Sequence, residues 1–179
     1  MPVDMKNIIA ETFYAMTQKK SLDKITVKAL IEECKISRQT FYYHFQDIMD
    51  VIAWSVRQMI QKIVEKTLKT DSPQAALQIF ISTAVQSYPL LQKLLDSHRR
   101  SEIEKLMVDA IRSYLQEILN AKADNVSLNC SDLAVTLSFY TYGIVGILVE
   151  YCAKPQLDQN KLADQMYLLL SGNMLHLTP

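Results

Sequence analysis

Glycine is scarce in this chain, with three residues in 179, and proline adds only five. So few breakers, with almost no alternation of apolar and polar residues, argue against a turn-rich sheet protein and for an all-α fold. Cysteine is equally sparse. Cys34, Cys130 and Cys152 are odd in number and widely spaced, which fits neither a disulfide framework nor zinc-ligand spacing; they read as small reduced hydrophobes. Net charge is missing too, because nineteen Lys/Arg balance nineteen Asp/Glu. That excludes a strongly basic coat, although residues 1–45 hold seven Lys/Arg against five Asp/Glu and a local patch is enough for DNA binding. The most apolar run, Ile144 to Val149, is closed by Glu150 and is shorter than the roughly 20 residues a membrane span needs. The start, MPVDMKNIIAETF, carries an acid at its fourth position and no long apolar run, unlike a signal peptide. A cytoplasmic protein with no membrane segment is the expectation. His44, His98 and His176 are too scattered to hold a metal, and no nucleophile and base fall in a recognisable arrangement. Neither cofactor, metal nor enzymatic activity is expected.

What is present is helical pattern. A first helix is predicted over about Asp4 to Lys19, with Ile9, Phe13 and Met16 on one face. Thr26 can cap VKALIEEC, Ser37 a very short third helix, and Asp47 a long fourth one. Thr70, Asp71, Ser72 and Pro73 form a break that opens a fifth helix, which Pro89 limits or kinks. A short helix over Leu90 to Asp96, one from Ser101 to Leu119, and two apolar helices after the polar NAKADNVSLN segment complete a set of about nine. The first three bury little alone. The sequence therefore divides into a small domain, 1–46, and a larger one, 47–179, with helix four (about 47–69) linking them.

Residues 26–45 form a helix, a turn at Lys35-Ile36, and a second short helix: the order of a helix-turn-helix, whose second helix enters the DNA major groove. After Ser37, the first turn presents Arg38, Gln39 and Thr40, whose side chains suit base edges. Phe41 and Phe45, four apart, share the inward face. Tyr42, Tyr43 and His44 fall on other faces with polar tips suited to phosphate oxygens. From spacing alone, a capped helix in an ordinary bundle fits equally well.

The run ITVKALIEECKISRQTFYYHFQDIMDVI closely resembles the DNA-binding domain of the TetR/AcrR family of bacterial regulators. That family carries a threonine-capped helix, an alanine-glycine-valine-serine turn and a T-[LF]-Y-x-H-F helix; Thr26, Ser37, Thr40, Phe41, Tyr42, His44 and Phe45 match it. The resemblance covers roughly residues 8–55. It implies a DNA-binding helix-turn-helix followed by a larger helical ligand-binding and dimerisation domain. It also implies a homodimer on a palindromic operator in double-stranded DNA, usually with a small-molecule effector. Thr26, Val27, Lys28, Ser37, Arg38, Gln39, Thr40, Tyr42, Tyr43 and His44 are the DNA-binding candidates. Two departures stand out: Cys34-Lys35-Ile36 replaces the usual turn, so Lys35 sits where glycine tolerates positive φ, and Ile48 replaces a phosphate-touching lysine.

In the larger domain, Leu137, Ile144, Ile147 and Leu148 form one apolar stripe, and Leu162, Met166, Leu169 and Leu170 another. Pairing these helices with their symmetry mates would make a four-helix dimer interface. Gly143 and Gly146 permit a close helix approach, or relieve crowding at an internal contact. Phe80, Tyr88, Tyr114, Phe139, Tyr140 and Tyr142 supply the aromatic surface and hydroxyls that small-molecule cavities use, though core packing explains each equally. His98, Arg99 and Arg100 form a basic cluster. A transcriptional repressor is the leading expectation; a helical regulator acting mainly through a protein co-regulator is the alternative.

Overall fold

The computed structural model describes residues 4–70, 72–121, 130–154 and 156–171. Among them are eight α-helices and one 3-10 turn. They are α1 (Met5–Lys19), the turn Leu22–Lys24, α2 (Val27–Cys34), α3 (Arg38–His44), α4 (Ile48–Leu68), α5 (Pro73–Leu95), α6 (Arg100–Ala121), α7 (Cys130–Tyr151) and α8 (Gln159–Leu170). No strand occurs among the described residues. Most of the polar segment before α7, together with His176, lies outside them.

Helix starts follow the side chains able to satisfy free N–H groups. Asp4, Thr26, Ser37 and Asp158 each accept a backbone N–H from the first turn of the helix that follows. Asp47 accepts from Asp50 N at 2.9 Å while the Asp50 carboxylate accepts from Gln46 N at 3.1 Å, a reciprocal pair at the start of α4. Ser72 accepts from Ala75 N at 3.3 Å, with Pro73 as the first residue of α5.

One boundary differs from the sequence expectation. The fifth helix, expected to be limited or kinked by Pro89, and the short one expected over Leu90 to Asp96 are a single helix, α5, with Pro89 inside. Proline removes one N–H and strains one carbonyl, but buried Leu94 and Leu95 hold the chain beyond it.

The chain forms two compact units. Unit 1 is Met1–Met59 with Leu90–Leu106; unit 2 is Ile60–Pro89 with Met107–Pro179. The core of unit 1 includes Ile9, Phe13, Leu30, Phe41, Phe45 and Val51. That of unit 2 includes Ile63, Phe80, Ile81, Ile111, Leu148 and Met166.

Helix α7 is apolar on two opposite sides. Leu137, Thr141, Ile144 and Leu148 are buried. Val135, Phe139, Tyr142 and Gly146, the same 4-3-4 spacing set back by two residues, are exposed. At about 100° per residue, two positions place the second stripe on the far side of the helix. Residues Asp132–Tyr151 are long and apolar enough, by length and composition, to cross a membrane, a longer stretch than the Ile144–Val149 run alone suggests. Beyond its own turn of helix, an added Cβ at Gly143 or Gly146 would meet no atom of the described residues within 4 Å, so neither glycine relieves crowding among them.

Candidate nucleic-acid interface

The Thr26 hydroxyl accepts the Ala29 N–H at 3.1 Å and opens α2. The helix closes at Lys35, which adopts φ 54° and ψ 41°, the one positive-φ non-glycine residue among those described. Its N–H donates to Glu32 O at 3.2 Å and that of Ile36 to Ile31 O at 3.2 Å, the paired bonds of a Schellman C-cap. The turn thus keeps the left-handed geometry glycine would favour, and lysine carries the strain. Burial pushes the neighbouring Cys34 thiol above its ordinary range.

Two residues on, Ser37 Oγ accepts Thr40 N–H at 2.9 Å and lies 2.8 Å from Thr40 Oγ1. The Thr40 hydroxyl is therefore engaged in the cap. Phe41 and Phe45 are buried. Lys6 Nζ stands 5.4 Å from the Phe45 ring centre, and Trp54, half-buried, meets the same ring edge-on at 6.0 Å.

On the opposite side Arg38, Gln39, Tyr42 and Tyr43 are exposed, Tyr43 at 84%. Arg38 and Tyr42 are four apart, as are Gln39 and Tyr43, so α3 presents two adjacent i,i+4 pairs. Tyr42 is braced edge-on against Phe41 at 5.4 Å, and half-buried His44 against Tyr43 at 4.9 Å. Thr26, Lys28 and Ser37 are exposed and Val27 is half-buried. Among the described residues no ion pair involves Lys28, Lys35 or Arg38, so their charges face outward unneutralised. Such a surface can hold phosphates and reach bases at once.

The remaining candidates scatter. Phe80 stacks on Tyr114 at 5.0 Å, and Tyr114 Oη lies 3.3 Å from buried Thr67 Oγ1; burial raises the Tyr114 phenol above its usual range, opposed by that hydrogen bond. Tyr88 and Tyr140 are half-buried, whereas Phe139 and Tyr142 face outward. Of the dimer candidates, Leu137, Ile144, Leu148, Leu162 and Met166 are buried within the chain, Ile147 and Leu170 are half-buried, and Leu169 is exposed. The Thr141 hydroxyl is buried with no hydrogen-bond partner among the described residues. Sequence reasoning missed Thr67, which carries no signal in EKTLKT, and Val135, whose exposure only the two-sided pattern of α7 betrays. Of the basic cluster, His98 meets Asp23, Arg99 meets Glu102 and Arg100 meets Glu104.

A capped pair of helices, α2 and α3, in helix-turn-helix order fits a transcriptional regulator. The comparisons agree. The TetR_C_8 model, described as a transcriptional regulator C-terminal region, matches residues 71–172. The chain belongs to the TetR family of transcriptional regulators. Similar folds occur in Lin0861 from Listeria innocua (TM-score 0.73, 18% identity, 96% of this chain and 94% of that one). They occur also in the dihydroxyacetone kinase operon activator DhaS (0.69, 18%, 96% and 97%). The TetR family repressor AlkX from Dietzia sp., implicated in n-alkane biodegradation, is a third (0.62, 13%, 96% and 96%). At these identities the likeness is one of fold. No curated protein matches the chain.

Proposed function

We propose that this protein is a sequence-specific DNA-binding repressor, acting in the cytoplasm as a homodimer on a palindromic operator and released by a small molecule. The observation that carries the reading is α3: two buried phenylalanines fix it from within while Arg38, Gln39, Tyr42 and Tyr43 stand free outside. Residues 1–46 would read DNA, and 47–179 would dimerise and bind effector, with α4 as the covalent link. Arg38 and Gln39 read bases; Thr26, Tyr42 and His44 hold phosphates.

The exposed α7 stripe supports the dimer. Val135, Phe139 and Tyr142 are each more than 60% exposed, and on α8 Leu168 and Leu169 add apolar surface. A second copy would bury this face, with Gly143 and Gly146 allowing the helices to approach. The interface therefore lies on the far side of α7 from Leu137, Ile144 and Leu148. For the effector, the Phe80–Tyr114 stack with the Thr67 hydroxyl offers an apolar wall and a polar point. AlkX is a repressor and DhaS an activator, so the sign is tested separately.

Selection of purified protein against random duplex DNA should return an inverted repeat, with half-sites about one helical turn apart or a multiple of it. A reporter downstream of that repeat should fall when the protein is expressed. Recovery of no preferred sequence would reject the DNA-binding reading, and a rise in the reporter would reject repression.

A further inference from the structure

The connection between α1 and α2 is gripped at both ends by one short segment more than seventy residues later in the chain. Lys93, in the last turn of α5, donates from Nζ to the Thr17 carbonyl at 2.9 Å. That carbonyl belongs to the last turn of α1, where helical donors run out. Five residues on, His98 holds Asp23 twice: its backbone N–H donates to Oδ1 at 3.2 Å, and its Nδ1 lies 2.8 Å from Oδ2. Asp23 stands in the 3-10 turn, three residues before the Thr26 cap of α2.

The gripping segment is itself fixed. Leu94, Leu95 and Ser97 are buried, Ser97 Oγ donates to Leu94 O at 2.6 Å, and Arg99 N–H donates to Ser97 Oγ at 3.2 Å. The His98 side chain, by contrast, is 92% exposed, so packing does not account for where it lies. Residues Leu90–Leu106 belong to the same compact unit as the reader, while the chain on either side of them belongs to unit 2. The contact with His98 also holds the Asp23 carboxyl below its ordinary pKa, chiefly through the side-chain hydrogen bond; the ionised form is the one the contact favours.

We propose that Lys93 and His98 form a latch on the α1–α2 connection that sets the attitude of α2 and α3, making both positioning residues for DNA binding. Among the described residues, no hydrogen bond or ion pair of Lys93 or His98 reaches α3 or its caps. The latch acts on the reader through the turn that precedes Thr26. This rests on the reading that α3 binds DNA.

The test uses the full chain and its selected operator, with Asp23→Ala, His98→Ala, the double variant, Lys93→Met and the conservative His98→Asn. Each of the first two should weaken operator binding by at least about twofold, with single-base preferences unchanged. The double variant should bind no worse than the weaker single, as two halves of one contact require. Lys93→Met should weaken binding in the same way, and His98→Asn, which retains a side-chain donor, should bind as wild type does. Without DNA, amide exchange across residues 26–45 should quicken in the alanine variants. Wild-type affinity in the singles, additive losses in the double, or an altered base preference would each overturn the latch. If the wild type selects no operator, the DNA-binding reading fails. The role in DNA binding falls with it, and amide exchange then decides only whether the contact holds α2 and α3, unchanged rates overturning that as well.

Discussion

Phe41 and Phe45 stand four residues apart at the inner face of α3, with ring centres 6.2 Å apart and planes inclined by 45°. Phe41 is fully buried and Phe45 is 2% exposed. In a seven-residue helix this pair has to supply most of the hold, because so short a helix is unstable alone. Phe41→Ala should therefore destabilise the protein by about 3–5 kcal/mol, and Phe41→Leu by much less. Urea unfolding followed by circular dichroism measures both. An alanine variant within about 1 kcal/mol of wild type would show that α3 is held by something else.

On the outer face the same helix should separate base reading from backbone holding. Arg38→Ala or Gln39→Ala should each cost roughly 1–3 kcal/mol on the selected operator and relax preference at one or two positions. Tyr42→Phe and His44→Ala should weaken binding to all sequences by similar factors, since phosphate contacts carry no sequence information. Competition against single-base operator variants at fixed salt distinguishes the two patterns. A changed profile for Tyr42→Phe with an intact one for Arg38→Ala would reverse the assignment of faces.

The Schellman turn gives a prediction of opposite sign. A left-handed residue other than glycine costs about 1–2 kcal/mol, while glycine gives back roughly 0.4–1 kcal/mol through the unfolded chain. Lys35 is exposed and pairs with no acid among the described residues. Lys35→Gly should thus stabilise the protein by a few tenths to about 1 kcal/mol. Its effect on DNA affinity should be a loss, because one outward cation disappears, with a shallower salt dependence. A lower melting temperature would show that the turn is not strained.

Much of this was legible in the residues. Thr26, Ser37 and Asp47 each stand just before an apolar periodic run, and each makes the capping bond such a position allows. Phe41 and Phe45 declare an inward face by spacing alone. What escaped is long-range or two-sided. Nothing local to His98 says that Asp23 will meet it, and the continuation of α5 past Pro89 depends on packing beyond the proline. In α7 nearly every position is apolar, so periodicity cannot tell the stripe facing the core from the one facing outward. Leu137 and Phe139 look alike in sequence and differ only once the helix has neighbours.

Tyr114 adds a pH test. Its phenol is raised by burial above the ordinary value of 10.0, so the folded state favours the neutral form. That contribution is fully present below the unfolded pKa and is lost as pH rises through the folded one. Wild-type stability should fall at strongly alkaline pH more steeply than that of Tyr114→Phe, which has no phenol to ionise. Denaturant midpoints measured from neutral pH into that range decide it, and parallel curves would contradict the cause given.

The outward stripe of α7 separates folding from assembly. If it is the dimer surface, sedimentation should give about twice the 20.5 kDa chain mass, and Phe139→Asp should halve it while leaving the helical signal intact. Phe139 is 74% exposed, so the charge costs the single chain little. Gly146 should then show two opposed effects of one methyl. Beyond its own turn of helix, no atom of the described residues lies within 4 Å of the added Cβ, and alanine is better than glycine in a helix by about 0.8–1 kcal/mol. In the Phe139→Asp background, Gly146→Ala should therefore raise the melting temperature. In the wild-type background it should weaken the dimer, because the methyl stands where two helices approach. If Gly146→Ala strengthened both, α7 would not be packed closely against a second copy at that position. If Phe139→Asp remained a dimer, the exposed stripe would not be the surface that holds it.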